Sequence, residues 1–250
     1  MKLVITNPWE ALRRHTPARI ALGRAGPALP TQEVLDFGLA HARARDAVQC
    51  ALDMDRLERE LKAAGYAPLR VRSQATDQAT YLTRPDLGRR LDEESAKRLK
   101  GAAELVVAVE DGLSAIAVQT HAVPLLAALA RRSIERWSRA AVVIALRGRV
   151  ALGDEIGERL KARLVVVMIG ERPGLSSPDS LGIYVTHAPR VGRTDAERNC
   201  ISNIHSRGLE YEEAARKLDW LVSAALARGI TGISLKDESA SPLLQERRDK

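Results

Sequence analysis

The chain has 250 residues, 45% of them hydrophobic, which is enough for a buried core and excludes intrinsic disorder over most of its length. Its net charge of +7 is dispersed among acidic residues, and aromatic side chains are few (3 Trp, 4 Tyr and 1 Phe), so we expect no nucleic-acid partner. Two cysteines exclude a disulfide framework, and no apolar run reaches the ~20 residues that span a bilayer, so we expect a soluble, cytoplasmic protein with no membrane partner.

The pattern up to about residue 100 predicts short helices. Apolar residues recur at helical spacing near its start: Val34, Leu35, Leu39 and Ala42. Asp53 or Asp55 can cap a second helix, which Gly65 ends. Residues 69–73 alternate like a short, half-exposed strand. We therefore predict a smaller, mainly helical N-terminal region over residues 1–100.

The character of the chain changes after this region. Apolar runs rich in β-branched residues predict buried strands at 104–109, 141–146 and 163–170, with a weaker fourth at 183–186. Helical patterns alternate with them at 114–130, 153–161 and 209–228. Such alternation predicts an α/β fold with a mostly parallel sheet. We expect a Rossmann-like C-terminal domain over residues 101–238 and a flexible tail over 239–250.

Ligands of such sheets bind outside the carboxyl ends of the strands. Three predicted loops lie there: 110–114, 147–150 and 170–174. Gly148, Gly153 and Gly157 open a predicted helix, but their spacing is not that of a dinucleotide fingerprint, and no P-loop is present. A tight turn and the close approach of a polar ligand both agree with these glycines.

The segment 170–180 combines Gly, Pro, Ser and three charged residues directly after a buried strand. This composition favours recognition of a ligand rich in amides and hydroxyls, although a rigid proline turn also explains it. Farther along, Cys200 and His205 are by type a nucleophile and a base, yet an isolated cysteine is more often a small hydrophobe. The five histidines form no ligand-spaced pair, so we predict no metal ligand and no catalytic residue.

Distinctive polar blocks lie at 16–26, 111–115, 150–157, 170–180 and 193–204. Together they resemble the light chain (small subunit) of ethanolamine ammonia-lyase, and the similarity runs in order from about residue 15 to 238. The resemblance implies an adenosylcobalamin-dependent lyase that converts ethanolamine to acetaldehyde and ammonia. It also implies a partner, the heavy chain (large subunit), in a hetero-oligomer with several copies of each chain. The heavy chain would carry the radical chemistry, and the isolated light chain would be inactive.

The resemblance places cobalamin contacts at Val150, Glu171 and Cys200. We expect Val150 to make an apolar or backbone contact, Glu171 to accept hydrogen bonds from corrin amides or ribose hydroxyls, and Cys200 to be a small packing contact. We expect three further residues to shape the loop that carries Glu171: Arg172, Ser176 and Asp179. The family also includes light chains that enter bacterial microcompartments through a longer N-terminal extension, so that location is open here. The alternative is a free-standing Rossmann-like, nucleotide-dependent enzyme.

Overall fold

The computed structural model describes Ile5 and residues 7–239. Within them the strands are β1 (Leu69–Arg72), β2 (Leu105–Glu110), β3 (Ala141–Leu146), β4 (Leu164–Gly170), β5 (Leu181–His187) and β6 (Asn199–Ile204). The helices are α1 (Thr31–Gln49), α2 (Met54–Ala63), α3 (Gln78–Thr83), α4 (Glu93–Arg98), α5 (Ala115–Arg132), α6 (Ile134–Trp137), α7 (Leu152–Arg159) and α8 (Tyr211–Arg228). Short 3-10 turns lie at Glu10–His15, Leu87–Arg89, Asp195–Glu197 and Gly232–Ser234.

All six of these strands form one sheet in the order β1-β3-β2-β4-β5-β6. The pairs β1–β3, β3–β2 and β2–β4 are parallel, whereas β4–β5 and β5–β6 are antiparallel. The predicted α/β class with a mostly parallel sheet is therefore confirmed, with a mixed sheet as the added detail. The finer Rossmann-like assignment stays a prediction.

Side-chain alternation sorts the strands between two apolar layers. In β2, Val107 and Val109 pack with helices α2, α5 and α8, while Val106 and Ala108 pack with α7 on the opposite face. Because successive strand residues point to opposite faces, a continuous apolar run fills both layers at once. The sheet is thus covered on both sides by helices, as the predicted strands required.

The order of the strands creates a crevice beside β2. The chain leaves β2 through α5 to reach β3, then crosses back through α7 to β4 on the other side of β2. Since α5 follows β2, α7 follows β3 and the two helices cover opposite faces, the loops that follow β2 and β3 diverge at the carboxyl edge. A ligand-binding crevice is expected at such a switch point.

Local signals in the sequence are mostly confirmed. Asp53 caps α2, its Oδ1 accepting a hydrogen bond from the amide of Arg56 at 2.9 Å. Pro124 is expected to start, kink or break the helix that contains it, but α5 continues through Pro124 to Arg132. Glu110, expected in a loop, is the last residue of β2 and is fully buried. Strand β6 was not predicted, because its polar residues Asn199, Ser202 and Asn203 hide the strand pattern.

The N-terminal region contributes both a strand and an exposed helix. Strand β1 pairs with β3, so part of this region belongs to the same sheet as the rest of the chain. Helix α1 forms as predicted, but its apolar residues Val34, Leu35 and Leu39 are 51%, 63% and 51% exposed. The domain boundary near residue 100 stays a prediction, and the predicted tail lies outside the described residues apart from Ser239. Among the described helices none is both long and apolar enough to cross a membrane.

Candidate functional site

A cleft of about 440 Å³ opens at the carboxyl edge of the sheet. Loops that follow β2, β3 and β4 all contribute to its wall, through Gly112, Val150 and Glu171 respectively, and β5 contributes Tyr184. Two of the three predicted cobalamin contacts, Val150 and Glu171, therefore line one cleft. This is the crevice that the strand order creates.

The floor of the cleft is formed by two interlocked loops. Gly112 has a φ of 59°, and a Cβ atom there would lie only 2.3 Å from the carbonyl oxygen of Gly170. The amide of Leu113 donates a hydrogen bond to the same carbonyl at 3.0 Å. A side chain at position 112 would force the loops apart, so glycine is required for this close approach.

Glu171 is half-buried and held by its own loop. Its amide donates to the carbonyl of Ser180 at 2.9 Å, and the Ser180 hydroxyl donates to Glu171 Oε2. The amide of Asn203 donates to the same oxygen at 3.3 Å. Oε1 accepts no hydrogen bond from any described residue, so it is available to a ligand that carries amide or hydroxyl donors.

Asp111 and Tyr81 fix the loop that carries Val150 through hydrogen bonds to its backbone. Oδ1 of Asp111 accepts hydrogen bonds from the amides of Gly112 at 2.9 Å and Gly148 at 3.1 Å. The Tyr81 hydroxyl donates to the carbonyl of Gly148 at 2.9 Å. Burial raises the pKa of Asp111 to about 6, although these amides and Arg147 act in the opposite direction. The backbone amide and the carbonyl of Gly148 are therefore both hydrogen-bonded, which fixes the turn that carries Val150.

Cys200 lies one strand beyond the cleft. It is the partner of Tyr184 in the β5–β6 register, so Tyr184 connects it to the cleft that holds Val150 and Glu171. Cys200 itself borders a neighbouring groove of about 500 Å³ along β6. The structure therefore brings Val150 and Glu171 together directly and Cys200 only through a shared neighbour.

The surroundings of Cys200 do not favour a nucleophile. Although the residue is exposed at the sheet edge, burial of its thiol raises the pKa of Cys200, and the charge of Glu171 raises it further. Burial and Cys200 together raise the pKa of Tyr184 to about 12. A neutral thiol is a poor nucleophile and a small packing group.

His205 is used locally rather than as a base for Cys200. Its Nε2 lies 2.8 Å from Asn203 Oδ1, and its Nδ1 accepts the amide of Arg207 at 3.3 Å. Within the described part of the chain, no group of three or more His, Cys, Asp or Glu side chains is arranged to hold a metal ion.

The three residues that were predicted to shape the Glu171 loop divide into two groups. Arg172 lines the cleft beside Glu171. Ser176 and Asp179 lie on the far part of the loop: the Ser176 carbonyl accepts a hydrogen bond from Arg207 at 2.7 Å, and Asp179 Oδ2 is 3.7 Å from His121 Nε2. These contacts fasten the loop to the turn that follows β6 and to α5, which agrees with a role in shaping it.

The glycines near α7 serve packing. A Cβ atom at Gly153 would lie 2.2 Å from the Val167 side chain, and one at Gly157 would lie 2.5 Å from Pro189. These positions let α7 pack closely, so helix packing, rather than a tight turn or contact with a ligand, accounts for Gly153 and Gly157.

Sequence reasoning missed three side chains that shape the cleft: Tyr81, Arg149 and Tyr184. Arg149 stood in a predicted loop and Tyr184 in a predicted strand, but Tyr81 comes from α3 and nothing in the local sequence connects it to the carboxyl edge. The buried Glu110 was also missed. Neither of its carboxylate oxygens has a hydrogen-bond partner among the described residues, and burial raises the pKa of Glu110 well above its usual range.

Comparison with known proteins matches the chain to one family over nearly its full length. The family model described as ethanolamine ammonia-lyase light chain (EutC) matches residues 6–236. An ethanolamine ammonia-lyase small subunit of Xanthomonas campestris is 54% identical over 246 residues, covering 95% of this chain and 90% of that one. Small subunits of the same enzyme from Ralstonia nicotianae and Azotobacter vinelandii are 53% and 55% identical, covering 97% and 93% of this chain and 93% and 89% of theirs.

Proposed function

The chain belongs to the ethanolamine ammonia-lyase light-chain family, and from this membership we propose that it is the small subunit of a complex that converts ethanolamine to acetaldehyde and ammonia. We propose further that it binds one side of adenosylcobalamin at the interface with a heavy chain. The chain's own part in the reaction is then to bind, orient and shield the cofactor. Location in the cytoplasm or in a bacterial microcompartment stays a prediction.

The observation that carries the proposal is the meeting of Val150 and Glu171 in one cleft. These residues come from loops that follow different strands, and the resemblance assigns a cobalamin contact to each. A switch-point crevice is where an α/β sheet binds a large cofactor. Cys200 adds a small side chain one strand away, beside Tyr184.

The chemistry of the cleft fits cobalamin. A corrin ring offers an apolar face, amide side chains around its rim, and a nucleotide loop with ribose hydroxyls and a phosphodiester. Val150 supplies an apolar contact, Oε1 of Glu171 supplies a free acceptor, and Arg149 and Arg172 supply donors. The cofactor, when bound, supplies the homolysis of its cobalt–carbon bond.

The dimensions of the cleft indicate a shared site. A volume of about 440 Å³ suits a drug-sized ligand, whereas cobalamin is considerably larger. We therefore infer that the chain covers only part of the cofactor and that a second protein encloses the rest. A heavy chain that meets the carboxyl edge of the sheet would complete the enclosure and exclude water.

A large exposed apolar surface near the N-terminus supports a protein partner. We call it the α1 surface, and its members are Trp9, Leu12, Leu29, Val34, Leu35, Phe37 and Leu39, which are between 45% and 66% exposed. Large apolar side chains that are exposed and concentrated in one segment of the chain favour a protein–protein interface. We propose that the heavy chain covers the α1 surface in the complex.

Co-expression with a heavy chain of the family tests the proposal. The purified complex, incubated with hydroxocobalamin and desalted, should retain corrinoid absorbance in proportion to light chain. Glu171→Ala should reduce the retained corrinoid about tenfold or more, because a charge-assisted acceptor is lost. Glu135→Ala, an exposed carboxylate at the amino edge of the sheet, is the matched control and should change nothing.

Two results would overturn the proposal. One is a wild-type complex that retains no corrinoid; the other is full ethanolamine turnover by the light chain alone. An unchanged affinity in Glu171→Ala would remove Glu171 from the contacts, while leaving the family assignment intact.

A further inference from the structure

Arg149 lies in the cleft with its side chain held in place from two sides. Its guanidinium carbon is 4.2 Å from the centroid of the Tyr81 ring, and its Nη2 donates a hydrogen bond to the Tyr81 carbonyl at 3.0 Å. The Arg149 amide donates to the carbonyl of Gly88 at 2.8 Å. A Cβ atom at Gly88 would lie 2.8 Å from Arg149 Cγ and 3.1 Å from the Tyr81 ring, so the arginine is packed between them.

This cation has no carboxylate partner among the described residues. The acids that follow it, Asp154 and Glu155, are taken by Arg198 and Arg90. The Nε atom of Arg149 is buried and has no hydrogen-bond partner in the described part of the chain. An ordered guanidinium normally gains a carboxylate or another acceptor in return for its lost side-chain freedom. The Nη1 atom makes no hydrogen bond within the described residues and, unlike Nε, is not buried, so its donors are left for an anionic ligand in the cleft.

The ligand chemistry follows from the shape of the group. A guanidinium presents parallel N–H donors that match the two free oxygens of a phosphodiester. The phosphodiester of the nucleotide loop is the anionic group of cobalamin, since the corrin rim carries neutral amides. Arg149 directly precedes Val150, and Arg172 adds a second cation to the same cleft.

We propose that Arg149, whose guanidinium packs on the Tyr81 ring, binds the phosphodiester of the cobalamin nucleotide loop. This inference rests on the proposed function and specifies which part of the cofactor lies beside Val150. It assigns the phosphate to Arg149, whereas Glu171 takes amide or hydroxyl donors.

The test compares two corrinoids on the purified light-chain and heavy-chain complex. Cyanocobalamin contains the phosphodiester, whereas dicyanocobinamide lacks the phosphate and the nucleotide. Equilibrium dialysis with absorbance detection gives Kd for both, on wild type, Arg149→Met and Arg149→Lys. We expect Arg149→Met to weaken cyanocobalamin about tenfold or more and to leave dicyanocobinamide unchanged. Arg149→Lys keeps the positive charge but loses the parallel donors of the guanidinium. Its Kd for cyanocobalamin should lie between those of wild type and Arg149→Met.

Two further measurements keep the result interpretable. Raising the salt concentration should weaken cyanocobalamin binding in wild type more than in Arg149→Met, because the phosphate contact is electrostatic. Arg139→Met, which removes an exposed arginine near the amino end of β3, should behave as wild type. Melting temperatures of all variants report whether each folds, and Arg149→Lys provides the comparison if Arg149→Met does not.

The outcomes separate this inference from the proposed function. Equal weakening of both corrinoids, or an unchanged salt dependence, would mean that Arg149 only supports the fold and would overturn the phosphate assignment. No corrinoid binding by the wild-type complex would overturn the proposed function itself. Binding of AMP that depends on Arg149, without binding of cyanocobalamin, would assign the phosphate to a free nucleotide and overturn the corrinoid source.

Discussion

The guanidinium of Arg198 lies 2.6 Å from the carboxylate of Asp154, and both side chains are only 2% exposed. Arg198 directly precedes β6, while Asp154 lies in the first turn of α7. The arginine also donates to the hydroxyl of Thr186 at 3.2 Å and to the carbonyl of Arg193 at 2.8 Å. The pair thus links the strand that carries Cys200 to the helix that follows Val150.

Removing one partner of this buried pair should destabilise the fold. Arg198→Met leaves the buried Asp154 carboxylate without its ion-pair partner, which costs about 3–5 kcal/mol of unfolding free energy. Urea unfolding followed by circular dichroism measures the change. The double variant Arg198→Met/Asp154→Leu should recover most of the loss, since no uncompensated charge remains.

The exposed pair Arg131–Glu212 provides the matched control, since its side chains are 63% and 61% exposed. Arg131→Met should change the unfolding free energy by less than about 1 kcal/mol. A loss in Arg198→Met no larger than that of Arg131→Met would show that the buried pair does not stabilise the native state.

Periodicity and apolar content predicted most of the fold because they report burial. The runs that became β2, β3 and β4 have both faces covered, so every residue in them is apolar until Glu110. The edge strand β6 escaped prediction because only Ile201 and Ile204 of its six residues are buried. An edge strand with polar alternate positions has no apolar run to reveal it.

The site was predictable in part. Loops at strand ends are recognisable from sequence, and the family resemblance selects Val150 and Glu171 within them. Contacts between distant segments were not predictable: Tyr81 reaches Gly148 over 67 residues, and no periodic pattern encodes that pairing. A buried acid such as Glu110 also gives no sequence signal, since an acid at the end of a strand is usually exposed.

Glu110 should make stability depend on pH. Its pKa in the folded protein is raised well above the ordinary 4.5 by burial, so the unfolded chain releases this proton first. As pH rises above about 4.5, the free energy of unfolding therefore falls, by about 1.4 kcal/mol per pH unit until the folded pKa is reached. The variant Glu110→Gln keeps the shape of the side chain but cannot titrate. Its free energy of unfolding should therefore exceed that of wild type by an amount that grows with pH.

Urea unfolding of both proteins between about pH 5 and pH 8 measures this effect. Asp111, whose raised pKa of about 6 acts in the same direction, is present in both proteins, so the comparison measures the titration of Glu110 together with its coupling to Asp111. Glu135→Gln changes an exposed carboxylate and should run parallel to wild type at every pH. Parallel curves for Glu110→Gln and wild type would contradict the prediction.

Cys200 should be dispensable as a chemical group but sensitive to size. The pKa of its thiol is raised by burial, so little thiolate exists at neutral pH and no nucleophilic step is expected of it. Cys200→Ala in the cofactor-loaded complex should keep the wild-type kcat for ethanolamine. Cys200→Trp, which places a large ring beside Tyr184, should reduce retained corrinoid. Loss of turnover in Cys200→Ala with full corrinoid retention would reinstate a catalytic role.

A charge introduced into the α1 surface should weaken binding of the heavy chain without unfolding the light chain. Leu35 is 63% exposed, so Leu35→Asp removes little buried area within the chain and should leave the melting temperature unchanged. At an interface the same change buries an unpaired charge, which costs several kcal/mol and should weaken capture of the heavy chain by a tagged light chain. Ile134→Asp, at a position 62% exposed on α6, is the matched control and should capture normally. Normal capture by Leu35→Asp would place the heavy chain elsewhere on the molecule.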